Sequence, residues 1–472
     1  MIWQIVRKEI LENVVSFRFF LALVLVVILF AAGSLVFLSQ YRQQSSDYWD
    51  RTNENLSALR DCARSLYRVA FQKQRVWRQP RPLTLCAEGY ERSLPNWFAF
   101  DIFTADLPDI RGGTNFTLSH FSSLDWVFIV SMILSFLALV FTYDSVSGEK
   151  EDGTLRQILA STTPRHEVLL GKYLGVMVTI GIPLCLGVLI SLLIVVGSGV
   201  AFFSALDWLK IFLIVLLSVL YLSIFVLLGI CVSSRTASPA NSMVVLLLIW
   251  VVLAILIPSF GRIICDVSGT APNPVELERR LAEISAEVWE KSERYGERAG
   301  YMSHNPDDPA NNPPARGRLR TAEVEAKNHA REDHHNKMLA QAAVGRQLTC
   351  LSPTVVYRRA SEAMVGTGIA HCVGLYRQIK THQAALREYI RGRDAEDPGS
   401  LHLIFPDRGC AQSWTTISHR PVPFETVPKF QERALALGAS LKLAIWDIGL
   451  LILFNLVFFA AAFVSFLHYD VR

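Results

Sequence analysis

Apolar residues in this chain are gathered into long blocks, with long polar stretches between them. A helix needs about 20 mostly apolar residues to cross the hydrocarbon core of a bilayer. Six segments qualify, at residues 19–38, 126–143, 173–197, 211–233, 240–259 and 445–467. The third, fourth and fifth contain no Asp, Glu, Lys or Arg. The first exceeds the ~7–15-residue apolar core of a secretory signal, and five more follow, so it reads as an uncleaved span. The pattern predicts an all-α membrane protein with six transmembrane helices.

The polar stretches have patterns of their own. In residues 1–18, Ile2, Ile5, Val6, Ile10, Val14 and Phe17 fall on one helical face and Arg7, Lys8, Glu9 and Glu12 on the other. This is the spacing of a helix lying in the membrane interface with its charges toward water. Residues 39–125 and 260–441 are each long enough to fold, and both are expected to be mainly helical. The first predicts a helix near 46–74, with Leu56, Leu59, Ala63, Leu66 and Ala70 on one face. It then turns irregular through Gln79-Pro80-Arg81-Pro82 and an aromatic group at Trp97, Phe98 and Phe100.

The second opens on Asn273-Pro274, a cap followed by proline at the first helical position. Leu277, Leu281, Ile284 and Val288 form a packing stripe there. A turn-rich linker at 303–317 separates it from polar helices near 319–346 and 374–392.

Charge sets the orientation. Short loops rich in Lys and Arg stay in the cytoplasm, and long loops do not count. With the N-terminus inside, the cytoplasmic segments hold Arg7, Lys8, Arg18, Lys150, Arg156, Arg165, Lys172, Arg235 and Arg472, while the short loop at 198–210 offers only Lys210. Both termini are expected in the cytoplasm, and 39–125 and 260–441 on the far side. Composition agrees, because 51% of residues are hydrophobic and only 19% charged, against about a quarter charged in soluble domains.

Cysteine placement fits that sidedness. Cys62 and Cys86 fall in the first polar segment, and Cys265, Cys350, Cys372 and Cys410 in the second. Even numbers suit disulfides in an oxidising compartment. Cys62–Cys86 is the first pairing to expect, and the other four allow three pairings.

Other chemistry is sparse. The nearest approach to a phosphate-cradling loop, His166 to Tyr173, lacks the first glycine and the final hydroxyl residue, so ATP is not expected to bind this chain by that route. His329, His334 and His335 read as a solvated polar helix and not as a metal site. Asp447 is expected at the interface near the outer end of the last span. Asn455 is expected to bond a neighbouring helix, and Gly171 and Gly175 to allow close helix approach.

One cytoplasmic stretch is different. In residues 144–172, acidic Glu149, Glu151 and Asp152 precede Gly153-Thr154, and suit the positive end of a starting helix. Leu155, Ile158 and Leu159 then sit at i, i+3 and i+4, with Arg156 beside them, until Pro164-Arg165 restarts the chain toward Leu170-Gly171-Lys172. A helix this short is marginal in water and needs a partner groove.

The stretch YDSVSGEKEDGTLRQILASTTPRHEVLLGKYLG, 143–175, resembles the first cytoplasmic loop of permease subunits of type-2 ATP-binding-cassette (ABC) exporters. Members show an acidic run, Gly-Thr-Leu-Arg, a Pro-Xaa-Arg pair (here Pro164-Arg165, without the intervening residue) and Leu-Gly-Lys before the next span. The N-terminal IWQIVRKEILENVVSFRFF resembles the family's connecting helix. LSPTVVYRRASEAMVGTG, 351–368, is similar to a segment of a bacterial branch with large outer domains after the first and fifth spans.

The resemblance implies a coupling helix seated on a nucleotide-binding subunit, with Gly153, Thr154, Leu155, Arg156, Ile158, Leu159, Pro164 and Arg165 at the contact. It implies a non-catalytic permease half in the inner (plasma) membrane. Its partners would be two ABC ATPase subunits that bind ATP and Mg, a second permease half, identical or related, and the lipid bilayer. No cofactor is expected on this chain itself, and no nucleic acid. Export is the leading expectation. The alternative is mechanotransmission to an extracytoplasmic partner, with nothing crossing the bilayer.

Overall fold

The structure is a computed structural model, described for residues 2–89, 97–105, 124–154, 164–260, 274–294, 313–406 and 415–467. Helix α1 (Ile2–Val14) is followed by α2 (Phe17–Cys62), α3 (Leu66–Phe71), and the strands β1 (Gln74–Trp77) and β2 (Trp97–Phe100). Then come α4 (Trp126–Val140), α5 (Ser147–Glu151), α6 (Arg165–Gly197), α7 (Ala205–Arg235) and α8 (Pro239–Phe260). The chain continues through α9 (Pro274–Arg294), α10 (Pro313–Leu348), α11 (Pro353–Val365), α12 (Ile369–Ala395) and α13 (Leu437–Leu467). Helices α2, α6, α7, α8 and α13 are long and apolar enough to cross a membrane, and α4 is a shorter apolar helix. All six expected spans are thus helical.

Two apolar cores organise the molecule. The larger lies in the bundle, where α7 is central and buries Ile214, Tyr221, Ile224, Phe225 and Val226. The second is built from both long polar segments at once. Leu59, Leu66, Val69, Val76, Phe98 and Phe100 of the first pack with Leu375, Ile379, Leu386, Ile390 and Ile417 of the second. One end of the bundle carries this second core (the domain end), and the other carries α1 and α5 (the loop end).

Three features differ from the sequence expectation. Helix α2 runs unbroken from the first apolar block through Cys62, because no Gly or Pro interrupts residues 39–62. Its 46 residues reach about 70 Å at ~1.5 Å per residue. The expected helix over 46–74 therefore joins the span and ends early. Residues 74–77 form a strand instead, antiparallel to 97–100, with Gln74 opposite Phe100 and Trp77 opposite Trp97.

The second difference is α11. It was expected within the outer segment, yet it packs inside the bundle against α7 and α13. The Tyr357 ring stacks on Tyr221 at 4.5 Å, and its hydroxyl lies 2.7 Å from Ser218 Oγ. Thr354 Oγ1 is 3.0 Å from the Tyr221 hydroxyl, which donates to the Ser131 carbonyl at 2.9 Å. Ser218 lies thirteen residues into α7, or about 20 Å from its start, so α11 fills the domain half of the bundle.

The third is Asp447. It is buried, and Arg359 of α11 pairs with it. Asn455 does bond its neighbour, donating to the Leu220 carbonyl at 3.0 Å.

The cysteines are arranged differently too. Cys86 belongs to the bundle core, whereas Cys62 lies against the second core and donates to Gln72 Oε1 at 3.4 Å. Both are free thiols, so the expected Cys62–Cys86 bridge is absent; the two residues belong to different cores. Cys372 is buried and Cys350 half-buried. Cys265 and Cys410 lie outside the described residues, as does most of the 303–317 linker.

Candidate functional site at the loop end

The site is assembled from α1, α5 and the start of α6. Helix α1 lies along α6 because glycines make room for it. A Cβ on Gly171 would come within 2.7 Å of Ile5 Cγ2, and one on Gly175 within 2.6 Å of Glu9 Cβ. The i, i+4 step Ile5–Glu9 thus matches the i, i+4 step Gly171–Gly175, and the expected close approach is met by α1.

Between the two glycines stands Lys172, 1% exposed. Its ammonium donates to Glu9 Oε1 at 2.7 Å, to Glu149 Oε1 at 2.8 Å and to the Ser145 carbonyl at 2.8 Å. A buried cation is tolerated only when paired and hydrogen-bonded, and all three ammonium protons are used here. Lys8 also reaches Glu149 Oε1, at 3.8 Å. Glu149 Oε2 is buried with no hydrogen-bond partner among the described residues. Glu9 had been expected to face water; it turns inward because Lys172 offers a counter-charge there.

Helix α5 is fastened from the other side. The Ser233 hydroxyl accepts the backbone N–H groups of Val146 at 3.1 Å and Ser147 at 3.0 Å, and donates to the Tyr143 carbonyl at 3.0 Å. The Lys150 ammonium donates to the Ser234 and Thr236 carbonyls, satisfying groups left open at the C-terminus of α7. Burial lowers the Lys150 pKa from its ordinary value. A Cβ on Gly229 would overlap Thr142, so α7 and the end of α4 touch directly.

Arg18 closes the rim. It donates to Asp144 at 2.7 Å and sits over the Tyr143 ring at 5.1 Å. Arg165 donates to the Leu467 carbonyl at 2.7 Å, and Arg235 Nε to Ser465 Oγ at 2.8 Å.

The residues singled out in the sequence flank this cluster. Gly153 takes a left-handed φ of +73° after α5, a conformation glycine adopts without strain. Thr154 Oγ1 donates to the Glu149 carbonyl at 3.3 Å. Pro164 is the cap of α6 and Arg165 its first residue. Leu155, Arg156, Ile158 and Leu159 lie outside the described residues. Sequence reading missed Ser233 and the pairing of Lys172 with Glu9 and Glu149. The available signal was a lysine between two glycines spaced to admit a helix.

What the arrangement can do is mechanical. Separating α5 from α6 takes Glu149 from the buried Lys172 ammonium and leaves Glu9 as its remaining carboxylate, a loss that is costly because the cation stays buried. The cluster therefore ties the three elements to one another. Among the described residues, no group of three or more His, Cys, Asp or Glu could hold a metal.

No curated protein matches the chain. A family model described as ABC-2 family transporter protein matches residues 3–471, nearly its whole length. With five long apolar helices, a shorter sixth and an α-helical body around them, the chain belongs to this family of ABC transporter permeases.

Proposed function

We propose that this chain is the permease half of an ATP-driven exporter, and that residues 154–162 form the coupling helix through which a separate ATPase moves it. The observation that carries the reading is the Lys172 cluster. It joins both flanks of the 144–172 segment to the bundle, so a push on that segment is delivered to α1 and α6 as one body. The ATPase subunits, two per transporter, bind ATP and Mg. A second permease half completes the pathway, and α8, whose apolar window is only 11% buried, leaves a face for it or for lipid. The loop end faces the cytoplasm of the inner membrane, with both termini on that side.

The test is substitution in the segment itself. Leu155→Asp with Ile158→Asp should abolish stimulation of the co-purified ATPase, while the chain still inserts and α1–α6 packing persists. Undiminished stimulation would overturn the coupling role.

One observation favours a second reading, in which the same motion drives an outer partner. Helix α2 runs without a break from the bundle into the second core, a stiff rod from one to the other. Transport into sealed vesicles separates the two, because mechanotransmission predicts ATP turnover without cargo movement.

A further inference from the structure

The two-stranded ribbon has one face in and one face out. Gln74, Val76, Phe98 and Phe100 point into the second core and are buried. The opposite face carries exposed Arg75 and half-buried Trp77 from β1 and exposed Trp97 from β2, with buried Ala99 beneath Arg75 in the register. A solvated ribbon face ordinarily bears polar residues. Here two indoles pair across the strands, ring centroids 6.2 Å apart, with Trp97 42% exposed.

Each indole also carries a guanidinium. Arg75 lies over Trp97 at 5.5 Å, and Arg51 of α2 lies over Trp77 at 5.5 Å. The result is an Arg–Trp–Trp–Arg row along the outside of the molecule. Exposed Arg75 has no acidic partner among the described residues, and its backbone N–H donates to Asn55 Oδ1 at 3.1 Å. The nearest carboxylate to Arg51, that of Glu54, is at 3.7 Å and itself largely exposed.

We propose that this row is a binding site for an anionic saccharide chain. A guanidinium stacked on an indole is already oriented, and its edge N–H groups remain free for the two oxygens of a carboxylate or phosphate. The exposed indole offers a flat apolar surface on which the C–H face of a pyranose ring can stack. Neither group alone selects this ligand. Their alternation matches a polymer that repeats an apolar ring face and an anionic substituent.

Charge and size decide among occupants. Residues 39–81 hold nine Lys and Arg against four Asp and Glu, a net +5, while 82–125 hold two against six, so the positive excess of this segment lies on the stretch that carries Arg51 and Arg75. The ribbon face is four residues long on each strand, roughly 13 Å by 5 Å. That suits a few sugar rings and is far below the ~800 Å² per partner of a stable protein interface. Arg51 lies thirteen residues beyond Leu38, the last residue of the first apolar block. At ~1.5 Å per residue that is about 20 Å along α2, too far for the indoles to sit in a lipid interface.

The experiment uses the full chain in nanodiscs of zwitterionic lipid, with calorimetric titration of a galacturonate hexamer, a neutral maltohexaose and a glutamate hexapeptide. The galacturonate should bind, weaken as salt is raised, and exceed maltohexaose by about ten-fold or more. Arg75→Gln and Trp97→Ala should each cut its affinity about ten-fold, whereas Arg391→Gln, exposed on α12, should not. Thermal unfolding of each variant checks that the second core stays intact. Equal binding of the neutral sugar, indifference to Arg75→Gln or Trp97→Ala, or equally tight Trp97-dependent binding of the peptide would each overturn the proposal. So would galacturonate binding that appears only in anionic lipid.

Discussion

The two ends of the bundle solve the same problem, burying polar groups among apolar helices, with different chemistry. At the loop end the contacts are ionic: buried Lys172 holds buried Glu9 and half-buried Glu149. At the domain end they are mostly neutral. Tyr357 meets Ser218, Thr354 meets Tyr221 and Ser352 donates to the Leu253 carbonyl, with Arg359–Asp447 and Arg358–Glu362 as ion pairs among them. Hydroxyls can change partners at about 1 kcal/mol each. A buried ion that loses its partner costs several times that. The contrast places the denser ionic anchoring at the loop end, where force would enter in the proposed cycle, and leaves the neutral hydroxyl contacts of α11 as the more easily exchanged ones.

The sharpest way to break that contrast is Lys172→Met. It leaves Glu9 and Glu149 buried and facing each other, and should destabilise the chain by about 3–5 kcal/mol, read as a large loss of thermal stability in detergent. Adding Glu9→Gln and Glu149→Gln removes the stranded charges. That triple variant should recover much of the stability but not ATPase stimulation, since the joint between α1, α5 and α6 is gone. Full recovery of both would make the cluster ordinary packing.

A second, smaller effect separates the second core from both bundle ends. Burial opposes ionisation of Glu432, but bonds from His371, Arg81 and the Gln79 N–H hold its carboxyl down to about 2. A carboxyl depressed on folding contributes stability that is full above its unfolded pKa, near 4.5, and is lost as pH falls toward 2. Protection of the α12 amides, corrected for the intrinsic exchange rate at each pH, should therefore fall between about pH 4.5 and 2, and Glu432→Gln should remove that dependence. A pH dependence unchanged in Glu432→Gln would assign it to other groups.

How much of this was legible follows from where each signal resides. The six spans, α9, α10 and α12 are written in local periodicity, which survives without knowledge of neighbours. So are the α1 packing glycines and Asn455. Helix α11 is not, because Arg358 and Arg359 make its hydropathy that of a water-soluble segment. What admits it to the bundle is Asp447, 88 residues away, on α13, together with Glu362 one turn on. Glu9 misled in the same way, since its partner Lys172 is 163 residues distant. The ribbon was hidden by length: four residues per strand give too little alternation, and pairing across the intervening segment decides their state.

The gentlest perturbation probes α11 itself. Ser218 Oγ already donates to the Ile214 carbonyl at 2.8 Å, so in its 2.7 Å contact with Tyr357 the phenol is the donor. Tyr357→Phe deletes that donor and leaves Ser218 with its backbone bond, so no buried group is stranded. The ring keeps its 4.5 Å stack on Tyr221. The cost should be about 1 kcal/mol, a small shift in thermal stability with the chain still folded. Because the contact must part if α11 moves during transport, basal ATPase turnover should rise where that parting limits the cycle, while the Lys172 cluster stays intact. A stability loss as large as that of Lys172→Met would mean the domain end is as rigid as the loop end, and the moving joint would have to be sought elsewhere.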